Sequence, residues 1–218
     1  MSFITFRRYY LDNLLIDTNF YGKVLDVGGK KDNKRGRFRP PLDKVESWEY
    51  LNIDESTNPD YYCSADNIPV EDESFDIVML AEVLEHLENP MDVLKECKRV
   101  LKKDGKLIIT MPFLYPKHAD PYDFQRWTDY KLDNELHKIG FSSVDITPMG
   151  SVFAVIYDLL YVSLGMASKN RDAFKNKVIR KFVMPVLAKV FMWLDKKYEY
   201  KSKTITTGYS IVVHGYED

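Results

Sequence analysis

The sequence predicts an α/β fold with a largely parallel sheet and helices on both faces. Three observations lead there. Short apolar runs alternate with amphipathic helical segments through most of the 218 residues. The run from Phe75 to Leu80 is apolar at nearly every position, as a central parallel strand should be. Turn and cap residues punctuate the runs, at Gly28-Gly29, Asn89-Pro90 and Asp104-Gly105.

Phe6 to Ile16 has apolar residues at helical spacing. Val24 to Val27 reads as a buried strand stopping at Gly28-Gly29, and residues 30 to 47 read as a polar, basic loop. Glu49 to Ile53, Tyr61 to Ser64 and Phe75 to Leu80 are the next three strands. Glu82 to Leu87 starts a short helix that Asn89-Pro90 ends. A second helix runs from Pro90 through Leu101, with Met91, Leu94, Cys97 and Val100 on its apolar face. Asp104-Gly105 closes it before a fifth strand, Lys106 to Met111. An aromatic and polar loop then leads to Thr128, which caps a helix ended by Gly140. Phe141 to Thr147 is a sixth strand. Residues 151 to 197 read as helical, with breaks near Ser168-Asn170 and at Pro185, and Thr204 to Val213 is the last strand. Residues 1–218 form one domain, with 151–198 as a helical insert.

Composition narrows the function classes. The net charge of −2 gives no nucleic-acid signature. The two cysteines, Cys63 and Cys97, make neither a metal spacing nor a disulfide framework. They read as reduced and buried. The N-terminus lacks a secretory apolar region, and no run is long enough to span a membrane, so the expectation is a cytoplasmic protein.

In such sheets ligands bind beyond the carboxyl ends of the strands. Gly28-Gly29 lets a ligand approach the backbone, and Asp54, ending the second strand, suits the two hydroxyls of a ribose. Both features fit several nucleoside-containing cofactors. The following block is more specific. Asp66-Asn67-Ile68-Pro69 precedes Glu73-Ser74-Phe75-Asp76, the central strand, and Ala81-Glu82-Val83-Leu84-Glu85-His86-Leu87. Val100 to Thr110 (VLKKDGKLIIT) completes it. The set, over roughly residues 20 to 148, resembles the class I S-adenosylmethionine-dependent methyltransferases, of the type-11-like, polysaccharide-biosynthesis-associated kind.

The resemblance implies a Rossmann-like fold of seven strands, with the insert preceding a last, antiparallel strand. It implies S-adenosylmethionine as cofactor. Asp26, Gly28 and Gly29 would lie beside its methionine part and Asp54 at the ribose. Asp66 and Asn67 would lie at the adenine, with Ala81 and Glu82 bordering the methionine again. The usual glycine two positions after Gly28 is Lys30 here, where the dinucleotide pattern G-x-G-x-x-G also fails.

The loop Pro112 to Thr128 resembles that of the polysaccharide-associated subgroup. His118, Asp123 and Arg126 are its candidates for base, orienting acid and hydroxyl or anion contact, and His86 is a further catalytic candidate. The expected reaction is O-methylation of a sugar or other small molecule in surface-glycan biosynthesis. The alternatives are an RNA methyltransferase, disfavoured by the balanced charge, and a non-catalytic S-adenosylmethionine-binding protein.

Glu82, Glu85 and His86 share one helix face by spacing. Their pattern also resembles metal-dependent small-RNA 2′-O-methyltransferases, with His118 in the position of a further ligand. The pattern is common in metal-free relatives, and no metal residue is assigned from sequence. In the insert, Ile179, Phe182, Val183, Val186, Leu187, Val190, Phe191 and Leu194 form an apolar face flanked by Lys175, Lys177, Arg180, Lys181 and Lys189. Core packing, a homodimer interface and peripheral membrane contact through 173–197 are its alternative uses. The expected substrate is a small molecule or glycan, not nucleic acid. The basic stretch Lys30, Lys31, Lys34, Arg35, Arg37 and Arg39 reads as a solvated loop.

Overall fold

A computed structural model describes residues 5–31, 36–118, 121–164, 178–198 and 204–216. The strands are β1 (Lys23–Val27), β2 (Ser47–Asn52), β3 (Tyr61–Tyr62), β4 (Phe75–Ala81), β5 (Leu101–Pro112), β6 (Phe141–Pro148) and β7 (Gly208–Tyr216). The helices are α1 (Phe6–Asp17), α2 (Pro90–Val100), α3 (Asp129–Ile139), α4 (Val152–Ser163) and α5 (Met184–Tyr198). The strands make one sheet in the order β3-β2-β1-β4-β5-β7-β6. Pairings among β1 to β5 are parallel, and β7 runs antiparallel between β5 and β6.

Side-chain alternation along the strands divides the core in two. Leu25, Val27, Val78, Leu80, Leu107 and Ile109 point to one face, with Leu94 and Cys97 of α2 and Leu132 and Leu136 of α3. Val24, Ile77, Met79 and Ile108 point to the other, with Leu11 and Leu15 of α1. Helices therefore cover both faces, as the alternating pattern required.

Strand ends shift by a few residues from the sequence reading, and four differences have a physical reason. Strand β5 begins at Leu101, not Lys106. Its register against β4 slips between Phe75 and Ile77, so the exposed Lys103-Asp104 stretch is an irregular part of the strand, not a turn. Strand β7 starts at Gly208, because the Thr206 and Thr207 hydroxyls both donate to Met149 O (3.0 and 2.7 Å) and hold that segment in a turn. The segment after β4 is a single 3-10 turn, Leu84–His86. Pro185 does not break its helix. A widened π turn, Ile179–Val183, precedes it, and Met184 N donates to Ile179 O across five residues. The wider turn accommodates the donor that proline lacks. The break expected near 168–170 lies outside the described residues.

Buried acids tie the insert to the rest. Asp158 of α4 accepts the N–H groups of Phe6 (2.6 Å) and Arg7 (3.0 Å), while Thr5 Oγ1 accepts from Arg8 N. The first turn of α1 thus finds acceptors for its otherwise free donors. Asp195 of α5 does the same for α4, accepting from Ser151 N (2.9 Å), Ser151 Oγ and Ala154 N (3.1 Å), and also from the Tyr10 hydroxyl. Phe6, Tyr157 and Tyr161 pack with Met184 and Ala188 around these caps.

Removing the Asp158 carboxylate strands one buried and one part-buried donor, each costing roughly 1–3 kcal/mol. Asp158→Ala should therefore destabilise the protein by about 3 kcal/mol in urea denaturation. A loss below about 1 kcal/mol would show that α1 does not rely on this cap.

Candidate active site

The carboxyl ends of β1, β2, β3 and β4 lie side by side, and each carries a residue singled out above. At the end of β1, Gly28 has φ +76°, and a side chain there would place Cβ 2.9 Å from Val83 Cγ2. A Cβ on Gly29 would meet the Asp26 carboxyl carbon at 2.4 Å. The turn is thus a backbone surface packed from behind by Asp26 and Val83. Burial pushes the Asp26 carboxyl up to about 7, partly offset by the Trp48 indole.

Asn52, at the end of β2, was not anticipated. It is buried, and its amide donates to Gly28 O (3.2 Å) and Gly29 O (2.9 Å), while its carbonyl accepts from Asp54 N (2.9 Å). One side chain therefore fixes the glycine turn relative to Asp54. Asp54 is exposed and accepts from Ser56 N (3.0 Å) and Ser56 Oγ (2.6 Å), both at Oδ1. These bonds, with help from Lys30, hold its carboxyl below the usual range. Oδ2 is the oxygen left for a ligand. Asp66 and Asn67 are exposed after β3, and Asn67 N donates to Ser64 O.

At the end of β4, Glu82 has φ +61°, an unusual backbone for a residue with a side chain. Its N–H reaches both O and Oγ1 of Thr110 (3.1 Å each), which holds the strained turn against β5. Its carboxylate pairs with Arg7 of α1. The Arg7 guanidinium lies 4.0 Å from the centre of the Tyr115 ring. Arg7 belongs to no motif, and Tyr115 lies in the Pro112 to Thr128 loop without having been given a role there.

The loop after β5 folds back onto the 3-10 turn. Phe124 N donates to Glu85 O (2.8 Å), and Gln125 Nε2 donates to Leu84 O and Leu87 O (3.2 and 2.7 Å). The loop brings His118 beside His86, with ring centres 5.2 Å apart. Asp123 pairs with Arg126 through both of its oxygens and accepts the backbone N–H of His118 (2.8 Å). Arg126 and these contacts hold the Asp123 carboxyl down at about 2. The His118 ring lies 3.6 Å from Asp123, beyond hydrogen-bond distance. Asp123 thus anchors the loop through backbone and Arg126, and Arg126 is engaged within the loop.

The other two histidines and the basic stretch after β1 lie elsewhere. His137 is on α3, with Nδ1 against Phe141 O, and His214 is on the outer part of β7. Lys31 pairs with Asp60, Arg37 with Asn13, and Arg39 with backbone carbonyls. Lys34 and Arg35 lie outside the described residues.

Asp26 keeps its proton to about pH 7 in the folded chain, far above the ordinary 3.8. The unfolded chain releases that proton earlier, so stability falls as pH rises from about 4 to about 7. Asp26→Asn should flatten part of that decline in urea midpoints measured across this range. An unchanged slope would contradict a carboxyl that the fold keeps protonated.

Residues 46–109 match the family described as a methyltransferase domain. The ubiquinone biosynthesis O-methyltransferase of Glaesserella parasuis is 50% identical over 38 residues, 17% of this chain and 16% of that protein. The chain spans only about a fifth of the length of the curated relatives it matches. Among solved structures, the [4+2]-cyclase SpnF superimposes with a TM-score of 0.57 at 17% identity, covering 97% of this chain and 82% of that one. Phosphoethanolamine N-methyltransferase 2 of Haemonchus contortus, in complex with S-adenosylmethionine, gives 0.56 at 15% identity, covering 99% and 54%. Residues 46–109 are thus similar to a methyltransferase domain, and the chain shares the Rossmann-like fold of these solved structures.

Proposed function

We propose that this protein is an S-adenosylmethionine-dependent methyltransferase acting on an oxygen of a sugar or other small molecule. The observation that carries the reading is the row of residues on adjacent strand ends: Gly28-Gly29, Asp54, Asp66-Asn67 and Ala81-Glu82. The cradle fits the cofactor, since the glycine turn has no room for side chains and Asp54 and Asp66 are exposed beside it. The bound cofactor supplies an electrophilic methyl group on a sulfonium. The chain supplies placement. Gly28, Gly29 and Glu82 would border the methionine part, Asp54 the ribose hydroxyls, and Asp66 and Asn67 the adenine. Arg7, tied to Glu82, would close that side of the site.

The acceptor would enter beside the loop after β5, where His86 and His118 are both partly exposed. Alignment supplies most of the acceleration in such a transfer, and proton removal from the acceptor hydroxyl supplies the rest. The imidazoles are the groups that serve the second need. The loop's internal ties through Asp123, Arg126 and Gln125 favour a small acceptor held in a preformed site.

The insert supports a place of action. Ile156, Leu159, Leu160, Phe182, Val186, Val190 and Trp193 are exposed on α4, the π turn and α5, beside Lys181, Lys189, Lys196 and Lys197. The acids of these segments, Asp158 and Asp195, are buried. An apolar face whose exposed charges, among the described residues of these segments, are positive suits an anionic bilayer surface, where a lipid-linked acceptor would reside. Lys175 and Lys177 lie outside the described residues.

Calorimetry should detect S-adenosylmethionine binding, and Asp54→Ala should weaken it about tenfold or more, the scale of lost charged hydrogen bonds. No binding by the unaltered chain would overturn the cofactor assignment. His118→Ala should spare that binding yet cut turnover on a sugar or small-molecule acceptor by roughly a hundredfold or more. Full turnover in the variant would remove His118 from the acceptor site. Vesicles of phosphatidylcholine with phosphatidylglycerol should co-sediment the protein, and Trp193→Glu should abolish this. Absence of vesicle binding, with a dimer in light scattering, would give the face to a second copy.

A further inference from the structure

We propose that Glu85, His86 and His118 form a binding site for one divalent transition-metal cation, of the zinc class. The Glu85 side chain is fully buried, and neither carboxylate oxygen has a hydrogen-bond partner among the described residues. A carboxylate taken out of water without donors is costly, so such a group calls for a cationic partner. Two imidazole nitrogens supply the rest of the set. His86 Nε2 and His118 Nε2 each lie 3.6 Å from the same oxygen, Glu85 Oε1. That is too long for a hydrogen bond. It is close to the roughly 3.4 Å edge of a tetrahedron built on metal–ligand bonds of about 2.1 Å. The three ligand atoms all lie within 4.8 Å of one another.

The far side of the His86 ring supports the same assignment. His86 Nδ1 meets the backbone carbonyl of Tyr122. That acceptor favours the proton on Nδ1 and leaves the Nε2 lone pair turned toward Glu85, the orientation that outer partners impose on metal-bound histidines. His118 Nδ1 is buried with no hydrogen-bond partner among the described residues, 3.6 Å from Asp123 Oδ2. Glu85 is itself positioned by the Phe124 N–H on its carbonyl. Glu82 is not in the set, because its carboxylate pairs with Arg7. One carboxylate and two imidazoles leave at least one coordination position open. In the methyl-transfer reading, on which this last step rests, an acceptor oxygen would take that position. His86 and His118 would then act as ligands in place of a base, and the cation would lower the pKa of the hydroxyl so that its proton leaves to solvent water.

The test uses the full chain, stripped with chelator and titrated with Co²⁺, whose visible absorption reports coordination directly. One saturating equivalent per chain is expected, with the band lost on adding Zn²⁺. Glu85→Gln, His86→Ala and His118→Ala should each weaken Co²⁺ binding at least a hundredfold, with circular dichroism verifying the fold of each variant. A folded unaltered chain that shows no saturable cobalt band overturns the proposal, as does stoichiometric binding retained by both folded histidine variants. Cobalt absorption needs no methyl transfer, so failure here is distinguishable from failure of the proposed activity.

Discussion

The buried carboxylate of Asp158 fixes where α1 begins, and much of the site follows from that. By accepting from Phe6 and Arg7 it sets the first turn of α1 against the insert. Arg7 is thereby delivered to the turn after β4, where it pairs with Glu82 and covers Tyr115. A helix start is a natural place for negative charge, because the free N–H groups and the aligned peptide dipoles both favour it. Here the acid comes from a segment about 150 residues further along the chain. The insert therefore does more than fill the gap before the last strand. It holds Arg7 against the turn after β4, and Asp195 in turn supports the insert.

The strands and their ends were largely legible in the sequence because they depend on local patterns. Continuous apolar runs marked β1, β4 and β5 as buried strands, and the tight turn at Gly28-Gly29 followed from its composition. Thr128 and Gly140 bounded α3 as read. Residues acting through contacts distant in sequence were not legible. Asn52 reads as an ordinary polar end to a strand, yet it ties both glycine carbonyls to Asp54. Arg7 reads as one basic residue of an amphipathic helix. The start of β5 was missed because a polar Lys-Lys-Asp-Gly stretch looks like a turn, whereas pairing at Leu101 with Phe75 makes it part of the strand.

The loop after β5 shows how a polar cluster divides its tasks. Asp123, Arg126 and Gln125 spend their hydrogen bonds on the loop and on the turn beneath it. That leaves the two imidazoles and Glu85 as the groups with capacity for something external. Sequence spacing grouped Glu82 with Glu85 and His86 on the assumption of a regular helix. The backbone after β4 is instead a left-handed residue followed by a 3-10 turn, and this separates Glu82 from the other two.

The π turn before Pro185 has a consequence for the insert as a whole. Ile179, Met184 and Ala188 pack in one cluster, with a step of five residues and then one of four. The step of five keeps Ile179 in line, because the widened turn absorbs one residue more than an ordinary turn does. In an unbroken α-helix each residue advances by roughly 100°. The turn therefore sets the rotational phase of everything after it. It decides that Met184 and Ala188 look inward while Val186, Val190 and Trp193 look outward. The chemical character of the insert's outer surface is in this sense encoded by one imino acid and the loop of helix that accommodates it.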